Sequence, residues 1–298
     1  MNILITGGAG FIGSHIADAC IEAGHNVIII DNLSNGKREH VNPKATFYHA
    51  DITNETQIEE IFTKEKINVI NHHAAQIDVQ KSIEHPEHDA HVNIIGTLNL
   101  LKLAKKYNIN KFIFASSAAV YGNEEPPLHE GITPLPISPY GISKFAAELY
   151  VHLFNPNAII FRYPNVYGPR QHTKEGGVIA RFAEKMKNNE DVTIYGDGTQ
   201  TRDFIFVKDV AEANLKALTA APDQLNIYNI GTEQSTSVND IFHMLKELTN
   251  YKKNAIKEPA RTGDIKHSWF DCTNAQSLGW TATTDINQGL LATLKSIK

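Results

Sequence analysis

Residues 6–13 read TGGAGFIG and follow directly on the apolar run Ile3-Leu4-Ile5. The run is short and β-branched, which predicts a buried strand, and the amphipathic stretch after the glycines predicts a helix. Gly7, Gly10 and Gly13 let the chain turn tightly and let backbone N–H groups approach a pyrophosphate. Because a helix N-terminus favours negative charge, the stretch predicts a dinucleotide-binding unit.

The second predicted strand, Asn26–Ile30, ends at Asp31, eighteen residues after Gly13. An acidic residue there accepts hydrogen bonds from the adenosine ribose hydroxyls and repels a 2′-phosphate. The alternative interpretation, a solvated carboxylate at a strand end, is disfavoured by the glycine loop that precedes it. The sequence therefore predicts NAD, rather than NADP, as cofactor.

Strands and helices alternate through the first half of the chain. Further strands are predicted at Thr46–His49, Val69–Ile70, Phe112–Ala115 and Ala158–Phe161, and helices at Phe11–Ala23, Glu55–Lys66, Pro86–Tyr107 and Pro139–Phe154. Gly24 is a candidate helix stop. This alternation predicts an α/β fold with a doubly wound parallel (Rossmann) sheet.

The sequence changes character after about residue 165, where loops rich in Gly, Pro and Asp become longer. We therefore expect an NAD-binding domain at 1–165 and a smaller C-terminal α/β domain at 166–298, which would bind the substrate. Segments near 200–235 are candidates for returning to the first domain.

Composition excludes several classes of protein. The chain has 298 residues and a formal net charge of −5, and it lacks the long basic runs on which nucleic-acid binding depends. No apolar stretch reaches the length of a membrane span, and the N-terminus does not resemble a signal peptide. Cys20 and Cys272 are too few for a disulfide framework. We expect a cytoplasmic protein that binds neither membranes nor nucleic acids.

A possible catalytic set follows the glycine loop. Tyr140 and Lys144 stand four residues apart, on one face of the predicted helix. A tyrosine has a pKa near 10, so it becomes a useful base only if positive charge, such as that of Lys144, stabilises its phenolate. The strand before this helix ends in Ser116-Ser117, where a hydroxyl can hydrogen-bond the substrate oxygen that Tyr140 deprotonates.

The 14 histidines raise the question of a metal site. His72 and His73 are adjacent, so on a strand they face opposite sides. His88 and His91 can meet on a helix, but no cysteine or paired carboxylate completes a ligand set. We predict structural or surface histidines and no metal.

Several motifs, in one order along the whole chain, resemble the extended short-chain dehydrogenase/reductases, and within them the UDP-glucose 4-epimerases. They are TGGAGFIGSH at 6–15, DNLS at 31–34, HAAQ at 73–76, SSAAVYG at 116–122, Tyr140-x-x-x-Lys144, RYPNVYGPR at 162–170, GDG followed by RDF at 196–204, and Arg261-x-Gly263-Asp264. Pro164 stands where such epimerases usually have phenylalanine.

The resemblance implies a cofactor site and a substrate site. NAD would contact Gly7, Gly10, Phe11, Ile12, Gly13, Asp31, Asn32, Ser34, Asn35, Gly36, Asp51, Ile52, Ala74, Ala75, Gln76, Asn93, Tyr140, Lys144 and Tyr163. A UDP-sugar would contact Ser117, Asn165, Tyr195, Arg202, Arg261, Asp264 and Ser268. Two arginines suit a diphosphate because guanidinium groups form paired, charge-assisted hydrogen bonds. For Arg170 we expect a surface ion pair instead.

The resemblance also implies the chemistry, with Ser117, Tyr140 and Lys144 as catalytic residues. Related dehydratases and decarboxylases generally carry an acidic residue after the catalytic Ser or Thr, whereas this chain has Ala118 and Ala119. Elimination would lack an acid catalyst, so we expect transient oxidation at C4 with tightly bound NAD, followed by return of the hydride to the same carbon.

The expected function is 4-epimerisation of UDP-glucose and UDP-galactose. Ser268 stands where family members that exclude N-acetyl sugars have tyrosine, so UDP-GlcNAc and UDP-GalNAc are also expected substrates. The alternatives are a 4-epimerase of another nucleotide sugar, such as UDP-glucuronate, a 4-keto-sugar reductase, and a non-catalytic NAD-sensing protein. Relatives dimerise through a four-helix bundle, which implies a homodimer. The segment between Lys144 and Arg162 is shorter than usual, so the catalytic helix is expected to end near Phe154.

Overall fold

The computed structural model describes residues 1–155, 157–173, 177–220, 226–260 and 265–297. Its centre is a seven-stranded sheet in which every neighbouring pair of strands is parallel. The strands of this sheet are β1 (Asn2–Thr6), β2 (Asn26–Asp31), β3 (Thr46–His49), β4 (Val69–His72), β5 (Lys111–Ser117), β6 (Ile159–Tyr163) and β11 (Ile227–Asn229). Their spatial order is β11-β6-β5-β4-β1-β2-β3, which confirms the doubly wound α/β prediction.

The helices flank this sheet and the small sheets beyond it. They are α1 (Phe11–Glu22), α2 (Glu55–Lys64), α3 (Val79–Glu84), α4 (Pro86–Ala90), α5 (Gly96–Lys106), α6 (Pro139–Phe154), α7 (Val178–Lys187), α8 (Val207–Ala217), α9 (Val238–Thr249) and α10 (Ile286–Ser296). Gly24 has a φ of +82° directly after α1, as expected of a helix stop. Helix α6 ends at Phe154, as expected from the short segment that follows it. None of the helices in these ranges is long and apolar enough to cross a membrane.

The inner strands of the sheet are buried on both faces and are rich in apolar residues, whereas the edge strand β3 is partly exposed. Ile3 and Ile5 pack on one side with α1 and α8, whereas Leu4 packs on the other side with residues of α2 and α5. This alternation follows from the opposite directions of successive side chains in a strand. Two buried layers hold the carboxyl ends of the strands in fixed positions.

The stretch predicted as one helix at Pro86–Tyr107 is interrupted. Between α4 and α5, His91–Ile95 form a π-helical turn. A π-turn inserts one residue per turn and rotates the side chains that follow it, often at functional sites. Here it holds Asn93 in the interior. Helix α3 was not predicted, because its six residues are too few for a clear helical period. Asp78 caps it by accepting from the N–H groups of Gln80 and Lys81.

Small sheets build the rest of the molecule. Their strands are β7 (Asn165–Tyr167), β8 (Thr193–Tyr195), β9 (Thr201–Arg202), β10 (Phe204–Phe206), β12 (Thr236–Ser237), β13 (Ile256–Glu258) and β14 (His267–Ser268). β7 pairs with β10, β8 with β13, and β9 with both β12 and β14. Aromatic residues of these strands and of α7 and α9, such as Phe182, Phe204 and Phe242, form a separate apolar core. β11 lies in the central sheet, and α8 packs on α1.

Candidate active site

A cleft lies at the carboxyl edge of the central sheet, where α/β folds bind their ligands. It brings together most residues of the predicted cofactor site and part of the predicted substrate site. The cleft is lined by Gly7, Gly10, Phe11, Ile12, Gly13, Asp31, Asn32, Ser34, Asn35, Gly36, Asp51, Ile52, Ala74, Ala75, Ser117, Tyr140, Lys144, Tyr163 and Asn165.

The glycine loop closes tightly between β1 and α1. Gly7 has a φ of +70°, and its N–H donates to the carbonyl oxygen of Ile30 at 2.8 Å. A Cβ on Gly13 would lie 2.3 Å from the Gly7 carbonyl oxygen, and a Cβ on Gly7 would lie 2.7 Å from the backbone nitrogen of Ala74. Glycine is therefore required where the loop passes closest to the helix and to the end of β4.

Asp31 is buried at the end of β2. Its carboxylate accepts hydrogen bonds from the N–H groups of Ala9 at 3.0 Å and of Leu33 at 2.8 Å. Burial raises the pKa of Asp31, and these hydrogen bonds oppose the rise. Beside it, Asn32 Nδ2 donates to Asp51 Oδ2 at 2.8 Å, which ties this loop to the loop after β3. The acidic side chain is thus held in place against the glycine loop.

Tyr140 and Lys144 lie one turn apart on α6. The start of this helix is fixed by Ser138, whose hydroxyl accepts from the N–H of Gly141 at 3.1 Å. Pro139 occupies the first helical position, which its fixed φ favours. The register of α6 therefore sets where the phenol and the ammonium enter the cleft.

Ser117 ends β5 and hydrogen-bonds the phenol of Tyr140. Its hydroxyl also accepts from the N–H of Ala119 at 3.2 Å. Lys144 is buried, and its Nζ donates to the carbonyl oxygen of Ala115 at 2.9 Å. Ser116 points the other way, because its hydroxyl donates to the buried carboxylate of Glu148.

Burial sets the acidity of the two central groups. It raises the pKa of Tyr140 to about 12, with the hydrogen bond from Ser117 opposing the rise. It lowers the pKa of Lys144 to about 8, with the carboxylates of Asp89 and Glu148 opposing the fall. Tyr140 is therefore a protonated phenol at neutral pH. It can exchange a proton with a substrate hydroxyl when the adjacent ammonium stabilises the phenolate.

Gln76 and Asn93, both predicted cofactor contacts, do not line the cleft. Asn93 holds residue 76 from both sides: its Oδ1 accepts from the N–H of Gln76 at 2.9 Å, and its Nδ2 donates to the Gln76 carbonyl at 3.0 Å. The Gln76 side chain donates to the buried carboxylate of Asp89 at 2.8 Å. The amide groups of both residues are used inside the protein, where they shape the loop after Ala75.

His72 and His73 both form hydrogen bonds with neighbouring side chains. His72 Nδ1 shares a hydrogen bond with the Thr6 hydroxyl at 2.7 Å, and His72 Nε2 shares one with the Thr97 hydroxyl at 3.0 Å. His73 points to the opposite face, where Nε2 lies 3.2 Å from the Tyr163 hydroxyl. Within the part of the chain that the structure describes, no three His, Cys, Asp or Glu side chains come together as a metal site requires.

The predicted substrate residues are only partly brought together. β9 and β14 place Arg202 and Ser268 opposite each other in register. Tyr195 ends β8 and pairs with Glu258. None of these three lines the cleft that holds Tyr140. Arg261 and Asp264 lie outside the described residues.

Arg170 forms part of the cleft wall, although only a surface ion pair was predicted for it. The ion pair is present, with Nη2 2.8 Å from Asp18 Oδ2. The same side chain lines the cleft together with Gln171 and His172. Arg170 has a φ of +67°, an unusual conformation for a residue with a side chain. Its position after Gly168-Pro169 was the sequence signal that could have assigned this loop to the site.

The residues present fit NAD. The close glycine contacts leave the N-terminus of α1 open to the cleft, as a pyrophosphate requires. The buried carboxylate of Asp31 stands at the same end, where adenosine ribose hydroxyls need acceptors. Tyr140 and Lys144 stand farther along the same cleft.

A doubly wound sheet with this glycine loop and with Ser117, Tyr140 and Lys144 at its carboxyl edge defines an extended short-chain dehydrogenase/reductase. The model of the NAD dependent epimerase/dehydratase family matches residues 3–231. The chain belongs to this family.

Named relatives cover nearly the whole chain. A putative UDP-glucose 4-epimerase of Methanocaldococcus jannaschii is 46% identical over 297 residues, which are 97% of this chain and 95% of that protein. The crystal structure of the UDP-glucose 4-epimerase of Thermotoga maritima with UDP-glucose is 44% identical, with a TM-score of 0.96 over 99% of this chain and 98% of that one. The UDP-N-acetylglucosamine 4-epimerase of Methanobrevibacter ruminantium is 36% identical, with a TM-score of 0.93 over 99% and 97%.

Proposed function

We propose that this protein is a UDP-sugar 4-epimerase that interconverts UDP-glucose and UDP-galactose. The observation that carries the proposal is the shared cleft, which holds Ser117, Tyr140 and Lys144 together with the glycine loop. The names of the full-length relatives support the same reaction. The residues that follow Ser117 favour epimerisation over elimination, because Ala118 and Ala119 supply no acid for a leaving hydroxyl.

Each catalytic side chain has one task. In its phenolate form, Tyr140 takes the proton of the sugar 4-hydroxyl and later returns it. Ser117 hydrogen-bonds the same oxygen and holds it against the phenol. Lys144 stabilises the phenolate by its positive charge. Bound NAD supplies the hydride acceptor and donor at its nicotinamide ring. A single tyrosine serves both epimers, since the 4-oxygen remains the group that loses and regains the proton.

The proposal extends to N-acetylated sugars. Ser268 is small, and β14 holds it opposite Arg202. A serine leaves room for an acetamido group at C2, which a large aromatic residue would fill. The structural relative from Methanobrevibacter ruminantium bears the name of a UDP-N-acetylglucosamine 4-epimerase, which supports this breadth.

We also propose a homodimer. α6 packs on α3, α4 and α5 through one face, and the opposite face carries Ile142, Leu149 and Leu153, which are 55%, 57% and 71% exposed. These three residues are spaced by seven and four positions, so they form one stripe along the helix. A second copy would cover this apolar stripe with its own α6 and α5.

The direct test is turnover without added NAD. Purified protein is incubated separately with UDP-glucose, UDP-GlcNAc and UDP-glucuronate, and the 4-epimers are resolved by chromatography. We expect conversion of the first two, and a fall in kcat of about 10²–10⁴ in Tyr140→Phe. Conversion of UDP-glucuronate alone would instead assign the alternative substrate. No conversion of any sugar after addition of NAD would reject the epimerase.

A further inference from the structure

A buried ion pair lies directly behind the proposed catalytic residues. Glu148 follows Lys144 by one helical turn on α6, and its side chain is 3% exposed. Oε1 accepts from Arg162 Nε at 3.0 Å, and Oε2 accepts from Arg162 Nη2 at 2.7 Å. Oε1 also accepts from the hydroxyl of Ser116. One carboxylate therefore binds a helix to two neighbouring strands.

The two strand residues that Glu148 holds are partners in the sheet. In the register of β5 and β6, Ser116 pairs with Arg162, and Ser117 pairs with Tyr163. Successive side chains in a strand face opposite sides. Glu148 thus binds the residues immediately before Ser117 and Tyr163, which both line the cleft, and it fixes the position of α6 relative to Ser117.

Burial of this ion pair costs desolvation free energy, and both charged groups are shielded from solvent. Desolvation of two charges is compensated only when the geometry is good and the remaining hydrogen-bonding groups are satisfied. Arg162 also lies over the ring of Tyr121, with its guanidinium carbon 4.7 Å from the ring centroid. Tyr121 in turn donates to Asn229 Oδ1 at 2.8 Å. The ring of Tyr121 therefore covers one face of the Arg162 guanidinium.

The charge of Glu148 also acts on Lys144. The titratable groups around Lys144 are Tyr140 and Glu148 from α6, Asp89 from α4, and His72 and His73 at the end of β4. Burial lowers the pKa of both histidines, that of His73 to about 3, and raises the pKa of Tyr140, so these three groups are neutral. The carboxylates of Asp89 and Glu148 are the anions of this set.

We propose that Glu148 is a positioning residue for α6: through Ser116 and Arg162 it fixes Tyr140 and Lys144 against Ser117, with its carboxylate one helical turn from Lys144. The negative charge of this carboxylate favours the protonated form of Lys144. The reaction to which this applies is that of the proposed function. A buried pair that served stability alone would be replaceable by apolar residues without effect on the chemistry. The two roles therefore differ in what happens to the ionisation of Lys144.

The test compares Glu148→Gln with Glu148→Asp. Glutamine keeps the size and removes the charge, whereas aspartate keeps the charge on a shorter side chain. We expect Glu148→Gln to move the alkaline limb of kcat to lower pH by about one unit, because a lost neighbouring anion lowers the pKa of a lysine. Glu148→Asp keeps the limb in place. KM for the UDP-sugar stays within about twofold in both, since neither change touches the nucleotide.

A second measurement does not depend on turnover. The ε-carbon resonance of Lys144, labelled with ¹³C and assigned with Lys144→Arg, is titrated in the NAD-bound protein without substrate. The midpoint is expected to fall in Glu148→Gln and to stay in Glu148→Asp. If the protein turns over no sugar, the proposed function is rejected. The titration of Lys144 still tests the role of Glu148, because it needs no substrate.

Two controls separate ionisation from folding. Glu55→Gln breaks the exposed ion pair in which Lys102 Nζ lies 3.0 Å from Glu55 Oε2. It should leave the alkaline limb of the kcat profile and the titration midpoint of Lys144 unchanged. The double variant Glu148→Gln with Arg162→Met leaves no unpaired buried charge, so it keeps the protein folded if the single variant unfolds. Its midpoint should lie between those of Glu148→Gln and the parent protein, because loss of the Arg162 cation raises the pKa of Lys144 and offsets part of the loss of the anion. A midpoint in either Gln variant equal to that of the parent protein would overturn the proposal.

Discussion

Lys144 has a pKa of about 8 because it is buried, and this value limits the pH at which the proposed site works. Below it the ammonium stabilises the phenolate of Tyr140; above it the lysine is neutral and the phenolate becomes harder to form. We expect kcat to decline as pH rises above about 8, while a phenol that acted without the lysine would gain activity with pH. A kcat profile from pH 6 to 10 decides between them.

In the proposed function, the range of sugars accepted depends on Ser268. Ser268→Tyr would fill the space beside Arg202 with a phenol ring, so turnover of UDP-GlcNAc should fall at least about tenfold while turnover of UDP-glucose is kept. Ser268→Ala is the matched control and should process both sugars. Equal loss of both activities in the tyrosine variant would show damage to the site instead of selection at C2.

Single residues show what the sequence does and does not reveal. The strand-end serines were predictable from position, and alternation explains why Ser117 reaches Tyr140 whereas Ser116 faces Glu148. Gln76 and Asn93 are predicted cofactor contacts that do not line the cleft. The Asn93 side chain hydrogen-bonds the backbone of Gln76, and the Gln76 side chain donates to Asp89 of α4, which no local sequence pattern predicts. Glu148 belongs to none of the motifs in the sequence. Its partners Ser116 and Arg162 lie far apart in the chain and are brought together only by the pairing of β5 with β6.

Among the elements of the fold, the glycine loop between β1 and α1 tolerates side chains least, because a Cβ at Gly7 or Gly13 would clash with backbone atoms. Gly13→Ala would place a Cβ 2.3 Å from the Gly7 carbonyl oxygen, so the loop must shift away from the α1 N-terminus. We expect NAD retained after dialysis to fall at least about tenfold and stability to drop by about 1–3 kcal/mol. NAD is measured after heat release from the protein, and stability by urea unfolding.

Gly24→Ala provides the control for this loop. Gly24 also has a positive φ, +82°, but nothing lies within 4 Å of a Cβ built there. The substitution should cost stability through backbone strain alone and leave NAD retention unchanged. If both variants lost NAD to the same degree, general destabilisation and not the shape of the loop would account for the result.

The elements of the first half were predictable because their periods are clear. Strand β3 and helix α6 begin and end where the pattern placed them, and β5 extends beyond its predicted ends to Lys111 and Ser117. The π-turn at His91–Ile95 was not predictable, because its extra residue per turn is stabilised by the contacts of Asn93 and not by local propensity. Short strands such as β9 and β14 depend on each other for pairing and leave no period to detect.

For the whole molecule, the exposed stripe on α6 makes assembly testable. Ile142, Leu149 and Leu153 would be buried in the proposed dimer, whose helices pack side by side. Leu149→Glu with Leu153→Glu places four like charges between two copies, so we expect a monomer at micromolar concentration by sedimentation velocity. The face of α6 that carries Lys144 points into the protein, and each monomer should retain NAD.

Leu291→Glu is the matched control for that double variant. Leu291 lies on α10 and is 41% exposed, so it offers a similar apolar surface outside the stripe. Its substitution should leave the dimer intact, because scattered exposed leucines are ordinary features of protein surfaces. A parent protein that sediments as a monomer would contradict the homodimer. A double variant that stays dimeric would show that the interface does not include this stripe of α6. The free-energy cost of burying four glutamates without partners would exceed the binding free energy of such an interface.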